Sequence, residues 1–194
     1  MKVGLYFGSF NPIHNGHLII ANYIISNTDL DQLWFVVSPH NPLKKSKTLL
    51  NEYHRLHLVQ LAIEGETRLK ASSIEFKLPK PSYTIDTLTY LKDKYPDNDF
   101  AIILGGDSFC NIDKWKNYTQ LLNNYTLYIY RRPGFETGKL TGKDIRILDA
   151  PLIEISSTAI RKMINDGKSI RYFVPDTVKE EIEKNGYYKK QILK

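Results

Sequence analysis

Cysteine is almost absent from this chain. Among its 194 residues there is one, Cys110. No disulfide can close within the chain, and a reducing compartment is the natural setting. Long apolar runs are missing too: no window approaches the roughly 18 apolar residues that mark a membrane span. The opening MKVGLYFGSF has one lysine and a short strand-like run. It lacks the apolar core and small-residue cleavage site of a secretory leader. A cytoplasmic location with no membrane partner is expected. Internal repeats and low-complexity segments are also lacking. Strong charge of one sign is missing as well. The formal net charge is +6, and Lys189, Lys190 and Lys194 supply three of those charges, with no acidic residue after Glu183. A weakly basic body argues against a general nucleic-acid binder, which needs a basic face. It suits a small anionic ligand.

What is present is a regular alternation of strand-like and helix-periodic stretches. KVGLYFG reads as a first strand and HLIIANYIISN as a helix. QLWFVVSP is a second strand, followed by the polar loop PHNPLKKSKTLL. Asn51 caps a helix running to Gly65. LKASSIEFKL is a third strand. Ser82 caps a helix from Thr84 to Tyr95, before Pro96. DFAIILGG, the most apolar run, is a central fourth strand covered on both faces. TLYIYRRPG is a fifth, and IRILDA and LIEIS are shorter ones. SSTAIRKMINDG and PDTVKEEIEKNG are two final helices, each closed by glycine. The pattern predicts one α/β domain over residues 1–194: a Rossmann-like, doubly wound, mostly parallel sheet with helices on both faces. The last lysine-rich residues read as a tail.

Ligands of such sheets bind beyond the carboxyl ends of the strands, so polar motifs that follow strands matter most. In GSFNPIHNGH, Gly8 lets the backbone come close to a ligand and Pro12 fixes the loop. Gly16 lies where the chain bends into the helix. His14 and His17 then stand where free N–H groups and the positive end of a helix dipole meet, an arrangement suited to a phosphate chain. Zinc is a weaker reading, since no third ligand of the right type is near and catalytic zinc wants three. The plain alternative is a tight turn with two surface histidines.

His14-Asn15-Gly16-His17 resembles the H-x-G-H core of the nucleotidyltransferase superfamily. The fuller G-S-F-N-P-I-H-N-G-H, with Phe10, Pro12 and His14, is similar to the nicotinate-nucleotide adenylyltransferases. Near the other end, ISSTAIRK reads on its own as a Ser/Thr cap at Ser156 and Ser157 with Arg161 one turn up. Beside the first motif it resembles the second phosphate-binding motif of the same family. The resemblance covers Val3 to about Tyr187. It implies an ATP site of Gly8, Ser9, Phe10, His14, Gly16, His17, Lys44, Gly106, Asp107, Ile155, Ser156, Ser157 and Arg161.

Further stretches acquire meaning from that resemblance. In NPLKK, one of Lys44 and Lys45, with Lys44 the first choice, is implied to touch the ATP phosphates; a solvated charge pair is the alternative. In GGDSF, Asp107 either caps a helix or accepts from ribose hydroxyls, where many relatives carry GAD. Trp115, in the polar helix NIDKWKNY, is implied to stack on a pyridine ring. Tyr83 and Thr84 of P-S-Y-T are implied to hold a nicotinate carboxylate through backbone N–H groups. In R-P-G, Arg132 is implied to face the substrate, with Arg131 competing.

The implied reaction joins nicotinate mononucleotide to ATP, releasing pyrophosphate. The nucleophile, a phosphomonoester with a second pKa near ~6, is already mostly dianionic at neutral pH, so no general base is required. His17, His14 and Arg161 are the expected catalytic residues. Mg²⁺ is expected to ride on the phosphates with mostly water ligands and no protein ligand. Sister enzymes acting on nicotinamide mononucleotide or phosphopantetheine, and a non-catalytic nucleotide-binding regulator, are the competing readings. A class I aminoacyl-tRNA synthetase shares H-x-G-H but needs a longer chain. A homo-oligomer is compatible with the sequence.

Overall fold

The structure is a computed structural model that describes residues 1–39, 49–132 and 142–189. Among them, six strands form a single parallel sheet: β1 (Lys2–Gly8), β2 (Gln32–Val37), β3 (Leu69–Ser72), β4 (Asp99–Gly105), β5 (Thr126–Tyr130) and β6 (Asp144–Leu148). Their spatial order is β3-β2-β1-β4-β5-β6. The helices are α1 (Asn15–Asn27), α2 (Glu52–Ala62), α3 (Thr84–Lys94), α4 (Gly106–Phe109), α5 (Tyr118–Asn124), α6 (Ser157–Asn165) and α7 (Asp176–Asn185).

Side chains alternate across the pleat, as the period of two requires. Val3 and Leu5 of β1, Trp34 and Val36 of β2, and Phe100, Ile102 and Leu104 of β4 pack with Ile85, Leu88 and Leu91 of α3. Tyr6, Phe35, Ala101 and Ile103 point the other way, onto Ile20, Ile24, Leu58, Ile160 and Val178 of α1, α2, α6 and α7. β4 is therefore covered on both faces, as its apolar run predicts. Each such Leu or Ile contributes about 1.5–3 kcal/mol when fully buried, which makes β1 and β4 the rigid floor of whatever sits at their ends.

Five expectations need correction. The third strand stops at Ser72, and Ile74–Lys77 makes a 3₁₀ turn, which carries Glu75 inward to hydroxyl partners. LIEIS forms no strand. It crosses the ends of the sheet, where Ile153 and Ile155 line a cavity, and delivers Ser156 to α6. NIDKWKNY is not one helix. Ile112–Lys114 is a 3₁₀ turn, Trp115 is extended, and Asn117 sits at φ 52° before α5, a left-handed position Asn tolerates. Ser82 does not cap α3: Tyr83 occupies the cap position, and no side chain caps the helix there. α2 ends at Ala62, and Gly65 at φ 85° lies in the turn beyond. Asn51 does cap it, accepting from Tyr53 N–H at 2.9 Å.

Candidate active site

The strand order reverses between β1 and β4, so the crevice lies beyond Gly8 and Gly105. At Gly8 the chain turns back on itself. Phe10, at φ 44° and fully buried, lays its ring over Gly8, where a Cβ would stand 2.7 Å from its Cζ. The close neighbour that Gly8 admits in this structure is Phe10. The ring of Phe10 also meets His17 edge-on at 5.1 Å.

His14 is the cap residue of α1, and its ring stacks on that of His17 at 3.6 Å and 25°. The His14 backbone N–H donates to His17 Nδ1 at 3.3 Å. A neutral His17 therefore carries its proton on Nε2. His14 is 5% exposed. Burial first, and then the Arg132 charge, lower its pKa from 6.5 to about 4. It is a neutral ring at pH 7. Its Nδ1 is buried and has no partner among the described residues. Gly16 makes the stack possible, because a Cβ there would meet His14 Nδ1 at 3.0 Å and Ile155 Cβ at 3.4 Å.

The second motif grips the first across some 145 residues of chain. Ser157 Oγ donates to the Pro12 carbonyl at 2.9 Å, and Arg161 Nη1 donates to the Asn11 carbonyl at 2.7 Å. Arg161 Nη2 donates to Thr158 Oγ1 at 3.2 Å. Ser156 caps α6 as expected, accepting from Ala159 N–H at 3.2 Å. Ser157 and Arg161 thus hold the loop whose turn presents His14 and His17.

At the end of β4, Gly105 and Gly106 bring Asp107 into α4. Asp107 caps nothing and lies 3.5 Å from Arg132 Nε. Arg132 Nη2 donates to Tyr130 OH at 3.1 Å, and that hydroxyl shares a 3.0 Å bond with Tyr6 OH. Arg131 instead pairs with exposed Asp149 at 2.6 Å. Tyr6, His14, Gly16, His17, Tyr130 and both Arg131 and Arg132 line one cavity. Tyr83, Thr84 and Trp115 do not line it. Tyr83 and Trp115 pack on the α3 side of the sheet. Lys116 sits 5.0 Å over the Tyr83 ring and pairs with Asp86 at 2.9 Å, which joins the Trp115 segment to the start of α3. Lys44, Lys45, Pro133 and Gly134 lie outside the described residues.

Three residues escaped the sequence reading. Arg55 is fully buried. It donates to the carbonyls of Ser9, Ser38, Pro39 and Leu50, tying together the segments that follow β1 and β2 and precede α2. Its signal was an arginine in register with core-facing Leu58 and Val59, at i+3 and i+4. Glu75 is a buried carboxylate inside the apolar run IEF. The Tyr188 hydroxyl is buried near the charges of Arg55 and Arg161, without a hydrogen-bond partner among the described residues.

Among the described residues no group of three or more His, Cys, Asp or Glu could hold a metal ion. No helix among them is long and apolar enough to cross a membrane.

A parallel sheet with this order, ending in a histidine pair at a helix N-terminus, belongs to a class of nucleotide-handling transferases. A family model described as cytidylyltransferase-like matches residues 5–163. Proteins of Flavobacterium psychrophilum and Cytophaga hutchinsonii, each named "Probable nicotinate-nucleotide adenylyltransferase", are both 51% identical to it. The first aligns over 98% of this chain and 100% of that protein, the second over 97% and 98%. The fold resembles that of a Plasmodium falciparum nicotinic acid mononucleotide adenylyltransferase solved with NaAD, at TM-score 0.80 and 22% identity, over 96% of this chain and 97% of that one. The chain belongs to the nicotinate-nucleotide adenylyltransferases, a branch of the cytidylyltransferase-like family.

Proposed function

We propose a division of labour for adenylyl transfer from ATP to nicotinate mononucleotide, the reaction that forms nicotinate adenine dinucleotide and pyrophosphate. The mononucleotide phosphate attacks the α-phosphorus. A new P–O bond forms, the bond to the β-phosphate breaks, and its electron pair leaves with pyrophosphate. No proton need move, since the attacking phosphate is already mostly dianionic. The protein aligns two anions and stabilises charge that builds on the α-phosphate.

The observation that carries this reading is the fixed tautomer of His17. With Nδ1 accepting from the His14 N–H at the start of α1, a neutral His17 carries its proton on Nε2. His17 is the main transition-state donor. His14 buttresses it by stacking and hydrogen bonding. Arg161, Ser157 and the Asn11–Pro12 loop they grip hold the triphosphate and the leaving pyrophosphate, together with Gly8, Ser9, Phe10, Gly16, Ile155, Ser156 and Lys44. Gly106 and Asp107 meet ribose. Arg132, Tyr83, Thr84 and Trp115, with Asp107 shared between the two nucleotides, form the mononucleotide side.

A Mg²⁺ ion would be held by phosphate oxygens and water, while Asp107 stands 3.5 Å from Arg132 Nε. When bound, the ion neutralises phosphate charge. The chain's own part is to orient those phosphates.

The test is pyrophosphate release from ATP with Mg²⁺ and either nicotinate or nicotinamide mononucleotide. Release with the acid in clear excess over the amide is expected. Equal or greater release with the amide would reassign the substrate.

A further inference from the structure

Glu75 is a buried carboxyl group, its pKa raised by desolvation against the pull of its hydroxyl partners, that the mechanism above leaves unused. It is 2% exposed, and no lysine or arginine among the described residues forms an ion pair with it. Its partners are hydroxyls. Ser82 Oγ donates to Oε2 at 2.9 Å, and Thr87 Oγ1 donates to Oε1 at 2.9 Å. The Ser38 side chain reaches the same carboxylate. Burying a carboxylate without a cation is costly, and these hydrogen bonds offset part of that cost.

Those hydroxyls bracket one turn. Ser82 precedes Tyr83 and Thr84, and Thr87 follows them and also reaches the Tyr83 carbonyl at 3.2 Å. Serine before a helix usually caps it. Here Glu75 takes the Ser82 hydroxyl, and α3 starts with no side-chain cap. The turn is referenced to the phosphate side as well. Ser38 N–H donates to the Gly8 carbonyl at 2.9 Å, and the Ser38 carbonyl accepts from Arg55 at 2.8 Å.

We propose that Glu75 is a positioning and specificity residue for the pyridine nucleotide. By holding Ser82 and Thr87, it sets the Ser82–Thr84 turn and keeps the first N–H groups of α3 open for the carboxylate of an acidic ring. This rests on the reading that the turn receives that carboxylate. An anion gains more from helix-start N–H groups than a neutral amide does. Disturbing the turn therefore costs the acid substrate more than its amide.

Glu75→Gln keeps the shape but replaces one accepting oxygen by an amide N–H₂ that cannot accept from Ser82 or Thr87. The expected result is a KM for nicotinate mononucleotide raised about tenfold, the scale of one charge-assisted hydrogen bond. The KM for ATP stays within about twofold, and the acid-over-amide ratio of kcat/KM falls with the acid. Ser82→Ala, at a half-buried site, gives a smaller shift in the same direction and serves if the first variant fails to fold. A KM for the acid unchanged in both variants, or equal changes for ATP and both mononucleotides, overturns the inference. The unaltered enzyme run in parallel separates the failures. If it releases no pyrophosphate with the acid, the function itself is wrong and this inference falls with it.

Discussion

Replacing His17 by alanine removes the donor on which the mechanism leans. The structure sets two separate costs. The first is structural: the His14 N–H loses its 3.3 Å acceptor and the His14 ring loses its 3.6 Å stacking partner. A hydrogen bond of this kind contributes about 1 kcal/mol and an aromatic pair about 0.5–1.5 kcal/mol. The sum, about 2 kcal/mol, leaves a typical domain with about 5–15 kcal/mol folded. The second cost is catalytic. Losing one preorganised donor to a developing oxyanion costs about 2.7–4 kcal/mol, or 10²–10³ in turnover. His17→Ala is thus expected to melt a few degrees lower and to lose at least about 10² in kcat, with the KM for ATP changed much less. Pyrophosphate release at saturating substrates, beside a thermal melt, measures both. His17→Gln restores N–H donors on a flexible arm and should recover part of the rate. A folded alanine variant turning over within about tenfold of the parent would refute the role assigned to Nε2–H.

Three further outcomes follow from the same geometry. The His14 pKa is about 4 when folded against 6.5 unfolded. As pH falls below 6.5 the unfolded chain binds a proton that the folded one refuses, so stability is lost progressively towards pH 4, by up to about 3 kcal/mol. Urea melts at pH 7 and pH 4.5 should show that His14→Gln loses much less than the parent; equal losses would refute it. Arg55→Lys keeps charge but cannot span four carbonyls, so the KM for ATP should rise severalfold with a lower melting temperature, and an unchanged variant would deny the guanidinium its role. Gly105→Ala puts a Cβ 2.5 Å from Asp107 Oδ1 and 3.1 Å from Arg132 Nε. It should cost about 1–3 kcal/mol in stability and at least tenfold in kcat/KM, and a melting curve and kinetics like the parent's would show that the Asp107–Arg132 arrangement does not matter.

The first turn was legible because its causes are local. A strand, a glycine, the Pro12 loop and a histidine-bearing helix start lie within ten residues of one another. Ser156 was legible for the same reason, since its acceptor role lies three residues away. The grip of Ser157 and Arg161 on Pro12 and Asn11 was legible only as two motifs. Their geometry depends on a fold that brings residues about 150 apart into contact. Arg55 and Glu75 escaped because their partners are carbonyls and hydroxyls, which carry no residue-type signature in sequence. Trp115 was misplaced because seven polar or amphipathic residues look helical. One left-handed Asn117, and Asn111 bonded to the Asp107 carbonyl, break the run into two turns. Sequence offered Arg131 and Arg132 as alternatives, and both line the cavity, Arg132 beside Asp107 and Tyr130 and Arg131 paired with Asp149.

The division of protonation between histidine and arginine has a chemical reason. Arg132 holds its charge, supported by Tyr130 and Asp107. The same positive charge helps to hold His14 neutral. The positive field of the cavity therefore comes from guanidinium groups, which keep their protons across the pH range of the cell. The backbone N–H of His14 donates to Nδ1 of His17. A protonated pair of rings 3.6 Å apart would repel itself and break that bond. On the proposed reading, the site separates two tasks that histidine often combines: arginine supplies fixed charge to bind polyanions, and an imidazole supplies a directed N–H. That arrangement suits a reaction whose nucleophile arrives already deprotonated, because nothing in the cavity has to take up a proton for the new bond to form.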